Sequence, residues 1–371
     1  MQTKADEVFM RRAIELARQG EGKTSPNPLV GAVIEKDGVI LGEGFHEKYG
    51  GLHAERQAIQ NALERGNDIS GSTLFVTLEP CCHFGKQPPC TQAIIDAKIK
   101  CVVVGSRDPN PLVSGRGNNF LRENGVRVVE DFLRAECDAL NPIFFHYITR
   151  GTPYVALKYA MTADGKIATQ NSDSKWITNE RARNFVHILR NRYSAIMVGI
   201  GTVLADDPLL TCRLPNSSNP LRIILDSSLK IPLESHIVKT ASEIPTMIMC
   251  VNTCEVQKEK KNVLEAAGVE VISLCGEGET GRVDMKSVFK LLGERKIDSV
   301  LVEGGAEIHC SVLKAGVVNH IYSFIGSKIF GGNGKSPVMG AGVDFVKDAY
   351  NLHLKSITQF DDDALLEWDV I

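Results

Sequence analysis

Residues 76–90 read VTLEPCCHFGKQPPC. The apolar, β-rich run that closes at Leu78 predicts a buried strand over 73–78, and Pro88-Pro89 ahead of Cys90 predicts the start of a helix reaching about Lys98. Between them stand Cys81, Cys82 and His83. Thiolates and imidazole are zinc ligands by chemistry, yet no two of these cysteines have the C-x-x-C spacing of a common zinc pair. Eight residues separate Cys81 from Cys90. The stretch alone leaves open which of Cys81, Cys82, His83 and Cys90 would hold a metal, so the rest of the donor set has to be sought elsewhere in the chain.

Upstream, residues 5–19 carry Val8, Phe9, Ala13, Leu16 and Ala17 as a helical stripe. PLVGAVIEKDGVILGEGFH follows as two β-rich runs around the turn KDG, a hairpin signal. A helix is expected from His53 to about Leu63, then the strand at 73–78, the helix from Cys90, and a strand at 101–105. A helix around 119–124, a short strand at VRVVE and a further helical piece complete this half. That alternation is α/β, with helices covering a sheet. The Pro, Gly and Thr of NPIFFHYITRGTP place a domain boundary at 147–152, dividing the chain into 1–147 and 148–371. The second half restarts with the strand YVALKYAM and the turn ADG. A helix is expected from about Asn179 to Arg192, capped by Thr178, and then the strand AIMVGIG. Strands at LRIILD, TMIMCV, VEVISL, DSVLVEGG and HIYSFIG, with helices between several of them, make a second α/β unit.

A chain of 371 residues favours about two domains, each large enough to be stable without staples. Lys and Arg are scattered, the net charge is -3 and aromatics are 6%, which gives no basic, aromatic-lined face for nucleic acid and no anionic-membrane signal. No apolar run approaches the roughly 18 residues of a membrane span. The N-terminus is charged throughout and reads as neither a signal nor a transit peptide, so a cytoplasmic protein is expected. Its ten cysteines are then expected to stay reduced, with Cys101, Cys137, Cys250 and Cys275 as ordinary core residues.

The missing donors lie in GGLHAERQAIQNAL, where His53 and Glu55 begin a helix. H-x-E on one helix, a strand, then Pro-Cys and a later Cys opening a second helix is the order found in zinc-dependent nucleobase deaminases, apart from the longer gap between cysteines. In that scheme His53, Cys81 and Cys90 are three protein ligands, and the fourth position is left to a water whose pKa zinc lowers to about 7. Glu55 is the proton carrier rather than a ligand. The positive end of the second helix favours thiolate at Cys90. A closed structural zinc on Cys81, Cys82, Cys90 and His53 or His83 is the alternative; adjacent cysteines seldom both reach one tetrahedral ion, and Glu55 would then have no role.

HAE, LEPC, HFGK and PPC, with DPNPLVSGRG at 108–117, resemble the deaminase domain of the bifunctional riboflavin-biosynthesis deaminase/reductases, in which the loop between the two cysteines is enlarged. The resemblance implies a cytidine-deaminase-like three-layer domain. It also implies that His83 and Lys86 reach a ribose phosphate and that Asn27, His46, Asp108 and Asn110 line the pocket. Cys82 stands where serine is expected and Gln87 where threonine is.

The second half has no metal cluster in its sequence, and its G-x-G at Gly199 and Gly201 lacks the third glycine of a dinucleotide fingerprint. Gly304 and Gly305 end a strand and open a helix, which offers backbone N–H groups to a pyrophosphate, although a plain strand-to-helix turn has the same pattern. ALKYAMTADGKIA, WIT, ARNFVHILR, VGIGTVLADDPLLTCR, RIILD and LVEGG resemble the reductase domain of the same family. That resemblance implies a dihydrofolate-reductase-like α/β fold and NADPH as cofactor. Ala160, Trp176, Thr202, Asp206, Ser227 and Gly305 would contact NADPH. Ser174, Arg190, Leu210, Arg213 and Glu303 would contact substrate, the arginines as phosphate clamps, and Lys158 would assist proton movement. Ser194 stands where an acidic residue is expected. The partner implied is a phosphorylated pyrimidine metabolite, with no nucleic acid and no membrane, and the enzyme is expected to be a homo-oligomer. Two steps follow: zinc-dependent deamination of a 2,5-diamino-6-ribosylaminopyrimidinone 5′-phosphate, then NADPH reduction of its ribosyl chain to ribityl.

Overall fold

A computed structural model of the chain describes residues 4–83, 87–110, 114–251, 255–274, 276–277 and 281–371. It divides into two compact units, Met1–Gly151 and Thr152–Ile371.

The first unit runs α1 (Lys4–Arg18), β1 (Gly31–Lys36), β2 (Val39–Phe45), α2 (Ala54–Glu64), β3 (Thr73–Leu78), α3 (Cys90–Asp96), β4 (Cys101–Ser106), α4 (Arg116–Glu123), β5 (Arg127–Val129), α5 (Arg134–Asp138) and α6 (Pro142–Arg150). The five strands lie in the order β2-β1-β3-β4-β5. The β1–β2 and β1–β3 pairs are antiparallel, and β3–β4 and β4–β5 are parallel. Alternate residues of each strand serve opposite faces, which builds three layers. Ala32, Ile34, Leu74, Val76, Val102 and Val104 pack under α2, α3 and α4, through Ala58, Ile94 and Leu121. Val33, Phe75, Cys101 and Val103 face α1 and α5, through Met10, Ala13, Ala17 and Cys137. On α1 the buried stripe includes Met10 and Ile14, whereas Val8, expected in it, is 63% exposed. Residue 147 lies inside α6, because the turn residues Gly151 and Thr152 follow that helix rather than replace it; Gly151 adopts φ 69° just after it.

The second unit runs β6 (Tyr154–Thr162), α7 (Glu180–Arg192), β7 (Ala195–Gly199), α8 (Ile200–Asp206), β8 (Leu221–Leu225), α9 (His236–Lys239), β9 (Thr246–Val251), α10 (Glu255–Ala266) and β10 (Val269–Leu274). It continues with the short pair β11 (Gly276–Glu277) and β12 (Arg282–Val283), then α11 (Met285–Glu294), β13 (Ser299–Gly304), α12 (Ala306–Lys314), β14 (His320–Gly326), β15 (Leu352–Phe360) and β16 (Asp363–Val370). A nine-stranded sheet has the order β10-β9-β8-β7-β13-β6-β14-β16-β15. It is parallel up to β14, and the closing hairpin is antiparallel. Ile196, Val198, Ile224, Ile248 and Cys250 pack against α8, α9 and α10, while Met197, Ile223, Met249 and Val300 pack against α11 and α12.

Two further sequence expectations need correction, and one pair of strands has no counterpart among the expected elements. The strand expected to run through AIMVGIG stops at Gly199, and α8 begins at Ile200. The cap of α7 is Asn179, whose side chain accepts from the Ala182 N–H at 2.9 Å; Thr178 is not the cap. An amide oxygen placed directly before the first helical residue reaches that donor, and Thr178 stands one residue too early. The hairpin β15–β16 stands beyond the last strand expected, HIYSFIG.

Candidate functional site

In the first unit α2 lies close over β2 because Gly42 and Gly44 carry no side chain. A Cβ on Gly44 would stand 2.4 Å from Ala58 N and 2.5 Å from Ala54 O. The close approach brings the start of α2, with His53 at its N-cap and Glu55 in its first turn, to the ends of β3 and α3. There His53 Nδ1 lies 3.6 Å from Cys81 Sγ and 3.4 Å from Cys90 Sγ. The Cys90 N–H, at the start of α3, donates to Cys81 Sγ at 3.4 Å. Tetrahedral zinc with Zn–S of ~2.3 Å and Zn–N of ~2.05 Å sets its nitrogen and sulfur donors about 3.5 Å apart, so these donors already stand at coordinating separation. Among the described residues this is the one group with such spacing: His53, Cys81 and Cys90 lie within 4.8 Å of one another, without Cys82 or His83. The three-donor reading therefore fits and the four-donor closed site does not. Cys81 is pulled down to about 4, first by the hydrogen bond with Cys90, with His53 also favouring its thiolate against the effect of burial. Glu55 is 4% exposed, and burial pushes its carboxyl up, with the Cys81 charge adding to that.

These groups open on a cavity of about 240 Å³, lined also by Asn27, His46, His83, Asp108 and Asn110. Five of the six expected substrate contacts of this unit are thus gathered there; Lys86 lies outside the described residues. His46 is committed to the protein on both ring nitrogens: Nδ1 donates to Leu52 O at 2.9 Å, and Nε2 stands 3.2 Å from Asn27 Nδ2. A carbonyl only accepts, so Nε2 of the neutral ring receives the Asn27 amide N–H and Asn27 Oδ1 is left as an acceptor. Burial lowers the His46 pKa, which keeps that ring neutral. Asp108 is pushed up to about 6 by burial, against the pull of the Asn110 N–H. Gln87 lines the cavity too and donates to Gly50 O at 3.2 Å.

The sequence reading missed Glu79 and Phe144. Glu79 sits between the strand and the first cysteine ligand, buried, and its carboxylate accepts the N–H groups of Gly115, Gly117 and Asn118 at 3.0, 3.1 and 3.4 Å. It ties the end of β3 to the start of α4, and an acid closing an apolar strand was the available signal. Phe144 lines the cavity from α6, the helix hidden by the boundary signals around it.

In the second unit the expected contacts gather around the C-terminal ends of β6, β7, β8 and β13, where open parallel sheets hold ligands. Gly304 has φ 128°, a value that favours glycine, and Gly305 is the N-cap of α12, with no side-chain cap. The Thr202 hydroxyl stands 3.4 Å from where a Cβ on Gly305 would be, so Thr202 of α8 lies beside the uncapped start of α12, whose backbone N–H groups suit phosphate. Asp206 ends α8, exposed, with Lys175 Nζ at 4.0 Å. Trp176 is 58% exposed, with Arg183 4.7 Å over its ring. Ser174 is half-buried in the same loop, Ala160 lies on β6, and Ser227 follows β8, its carbonyl accepting from Val251.

Glu303, at the end of β13, takes both prongs of Arg190, Nε–Oε1 at 2.7 Å and Nη2–Oε2 at 2.8 Å. The third arginine nitrogen, Nη1, donates to Thr211 O at 3.0 Å. Burial alone would raise the Glu303 carboxyl, yet Arg190, with Lys158 in support, holds it at about 2. Lys158 is shifted down by burial. Leu210 is buried at φ 54°, and Arg213, three residues on, is exposed with Nη2 2.9 Å from His187 Nε2. Ser194, found where an acid was expected, donates to Asp298 at 2.6 Å, so the carboxylate there comes from another strand end.

Comparison with known proteins agrees with both units. Residues 153–366 match the family described as the RibD C-terminal domain, and residues 3–106 match the cytidine and deoxycytidylate deaminase zinc-binding region. The chain is 51% identical over 370 residues to the riboflavin biosynthesis protein RibD of Actinobacillus pleuropneumoniae, covering 100% of this chain and 96% of that one. It is 44% identical over 363 residues to that of Bacillus amyloliquefaciens, covering 97% and 95%. Among solved structures, the diaminohydroxyphosphoribosylaminopyrimidine deaminase/5-amino-6-(5-phosphoribosylamino)uracil reductase of Thermotoga maritima is 41% identical, with a TM-score of 0.86 and 99% of each chain covered. No helix among the described residues is long and apolar enough to cross a membrane. The chain belongs to the RibD family of riboflavin-biosynthesis proteins, and it joins a zinc-binding deaminase domain to a reductase domain that uses NADPH.

Proposed function

We propose that this chain performs two consecutive reactions. The unit up to the 147–152 boundary deaminates 2,5-diamino-6-(5-phosphoribosylamino)pyrimidin-4(3H)-one, and the remainder reduces 5-amino-6-(5-phosphoribosylamino)uracil. The observation that carries the reading is the convergence of His53, Cys81 and Cys90 beside a buried Glu55.

His53, Cys81 and Cys90 would hold the zinc. When bound, zinc supplies a Lewis acid that lowers the pKa of water to about 7. Glu55 takes one proton as water adds to the ring carbon bearing the amine and passes it to the ring nitrogen; it then takes the proton of the new hydroxyl and hands it to the amine, so that the C–N bond breaks, the ring carbonyl forms and ammonia leaves. The raised carboxyl of Glu55 suits a group that must both accept and return that proton. Asn27, Asp108 and Asn110 offer hydrogen bonds to the pyrimidine and ribose, while His83 and Lys86 serve the phosphate.

In the second unit the cradle of Thr202, Gly305 and the α12 start, with Ala160, Trp176, Asp206 and Ser227, would hold NADPH. When bound, NADPH supplies a hydride, which goes to the sugar C1′ as the C1′–O4′ bond opens. Lys158, which feels the charge of Glu303, would return a proton to O4′ of the opened chain. Ser174, Leu210 and Arg213 face the substrate, and the paired Arg190 and Glu303 form its floor. Free thiols packed in the core support a cytoplasmic setting. Exposed Phe345, Val346, Tyr350 and Ile357, near and on the edge strand β15, support a homo-oligomer.

One variant of the full chain tests both halves. Glu55→Gln should keep its zinc, release no ammonia from the diamino substrate, and oxidise NADPH only when the deaminated pyrimidine is supplied. Ammonia release by this variant removes the assignment of Glu55, and no NADPH oxidation by the wild type with the deaminated substrate removes the reductase.

A further inference from the structure

We infer that His187 is a positioning residue of the reductase unit: as a neutral hydrogen-bond acceptor it aims the Arg213 guanidinium at the substrate phosphate. The inference rests on the proposed reading of Arg213 as a phosphate contact and adds what makes that contact specific.

An arginine side chain has only donors, so the 2.9 Å approach of Arg213 Nη2 to His187 Nε2 requires Nε2 to be the acceptor and the ring proton to sit on Nδ1. His187 is buried at 7% exposed, whereas Arg213 is exposed. Burial leads in opposing protonation of the ring, Arg190 and Arg213 act with it, and Glu303 and the Thr211 carbonyl act against it. The ring stands neutral, as the acceptor role requires.

The surrounding bonds serve the same end. His187 and Arg190 are three residues apart on α7 and so share one face of it. Arg190 Nη1 donates to Thr211 O, and Cys212 Sγ donates to His187 O at 3.2 Å. Cys212 N donates to Asn219 Oδ1 at 2.9 Å. The backbone on the N-terminal side of Arg213 is thereby fastened to α7 and to the segment that follows, and His187 fixes the side chain that this backbone carries.

Charge decides between the two arginines. Arg190 is neutralised by the two-pronged contact with Glu303 and spends its remaining nitrogen on Thr211. Arg213 has no carboxylate partner among the described ion pairs, and a neutral imidazole leaves its full charge in place. A phosphate dianion is drawn to the arginine that no carboxylate has cancelled. Arg190 in turn holds Glu303 and the 211–213 backbone.

The test is steady-state NADPH oxidation by the full chain on 5-amino-6-(5-phosphoribosylamino)uracil and on the same compound without its phosphate. Arg213→Met should raise KM for the phosphorylated substrate by about tenfold to a hundredfold, the loss of a charge-assisted bond. His187→Leu should raise it about tenfold with kcat nearly unchanged. The double variant should be no worse than Arg213→Met alone, and His187→Gln, whose amide oxygen accepts, should recover most of the loss. None of these changes should alter KM for the dephosphorylated compound, which a general loss of structure would. If Arg213→Met raises KM and neither His187 variant does, the positioning role is wrong while the phosphate reading stands. If Arg213→Met leaves KM unchanged, the phosphate reading itself is wrong. Equal losses in His187→Leu and His187→Gln overturn the acceptor role.

Discussion

Arg190 and Glu303 form a two-pronged ion pair almost out of solvent, with nitrogen–oxygen distances of 2.7 and 2.8 Å and side chains 15% and 8% exposed. The pair holds the Glu303 carboxyl at about 2 instead of 4.5. A depressed carboxyl contributes stability that is present above the unfolded value and is lost as pH falls through the folded one. At about 1.4 kcal/mol per pKa unit the contribution is about 3 kcal/mol. Glu303→Gln should therefore unfold more easily than wild type at neutral pH, by about 3–5 kcal/mol since a buried arginine is left unpaired. The two denaturant midpoints should converge as pH falls from 4.5 towards about 2. Curves that stay parallel through that window would show that the ion pair is not the source.

Gly44 sets how closely α2 approaches β2. Gly44→Ala must move the helix, because its Cβ would meet backbone atoms of Ala54 and Ala58 at 2.5 and 2.4 Å. A loss of about 1–3 kcal/mol is expected from the overpacking. His53 and Glu55 ride on the shifted helix, so zinc affinity and ammonia release should fall together. A variant with weakened stability but unchanged zinc affinity, measured by competition with a chelator, would detach the glycine contact from the site.

Asp108 has the opposite sign to Glu303. Its carboxyl is raised from 3.8 to about 6 by burial. A raised carboxyl contributes stability below its unfolded value, and this is lost as pH rises through the folded value. Asp108→Asn should therefore be more stable than wild type above pH 6 by up to about 3 kcal/mol, and the advantage should shrink towards pH 4. The same variant should bind the pyrimidine less well, since the cavity loses an acceptor. Calorimetry across that pH range reads the first effect and KM for ammonia release reads the second; a variant less stable than wild type above pH 6 contradicts the burial argument.

The strand-and-cysteine stretch was legible because each signal was local. A β-rich run, prolines before a helix and H-x-E on a helix start all follow from short-range chemistry, and they met in space at His53, Cys81 and Cys90. Hidden features depended on tertiary partners. β15 carries Leu352, Leu354 and Ile357 exposed, so it has no buried face to give a clean pattern. α6 was masked by Pro142, Gly151 and Pro153, which mark its ends rather than a loop. The occupation of Arg190 by Glu303, 113 residues away, could not be read from either motif. The same holds for the partners of His46, whose two ring nitrogens meet Leu52 O and Asn27 Nδ2.

The most direct test of the account is elemental zinc analysis of the wild type beside Cys81→Ser, Cys82→Ser and Cys90→Ser. Wild type and Cys82→Ser should each carry one zinc per chain, and Cys81→Ser and Cys90→Ser should lose it. Wild-type protein purified without zinc, or loss of the metal in Cys82→Ser, would contradict a site built from one imidazole and two thiolates.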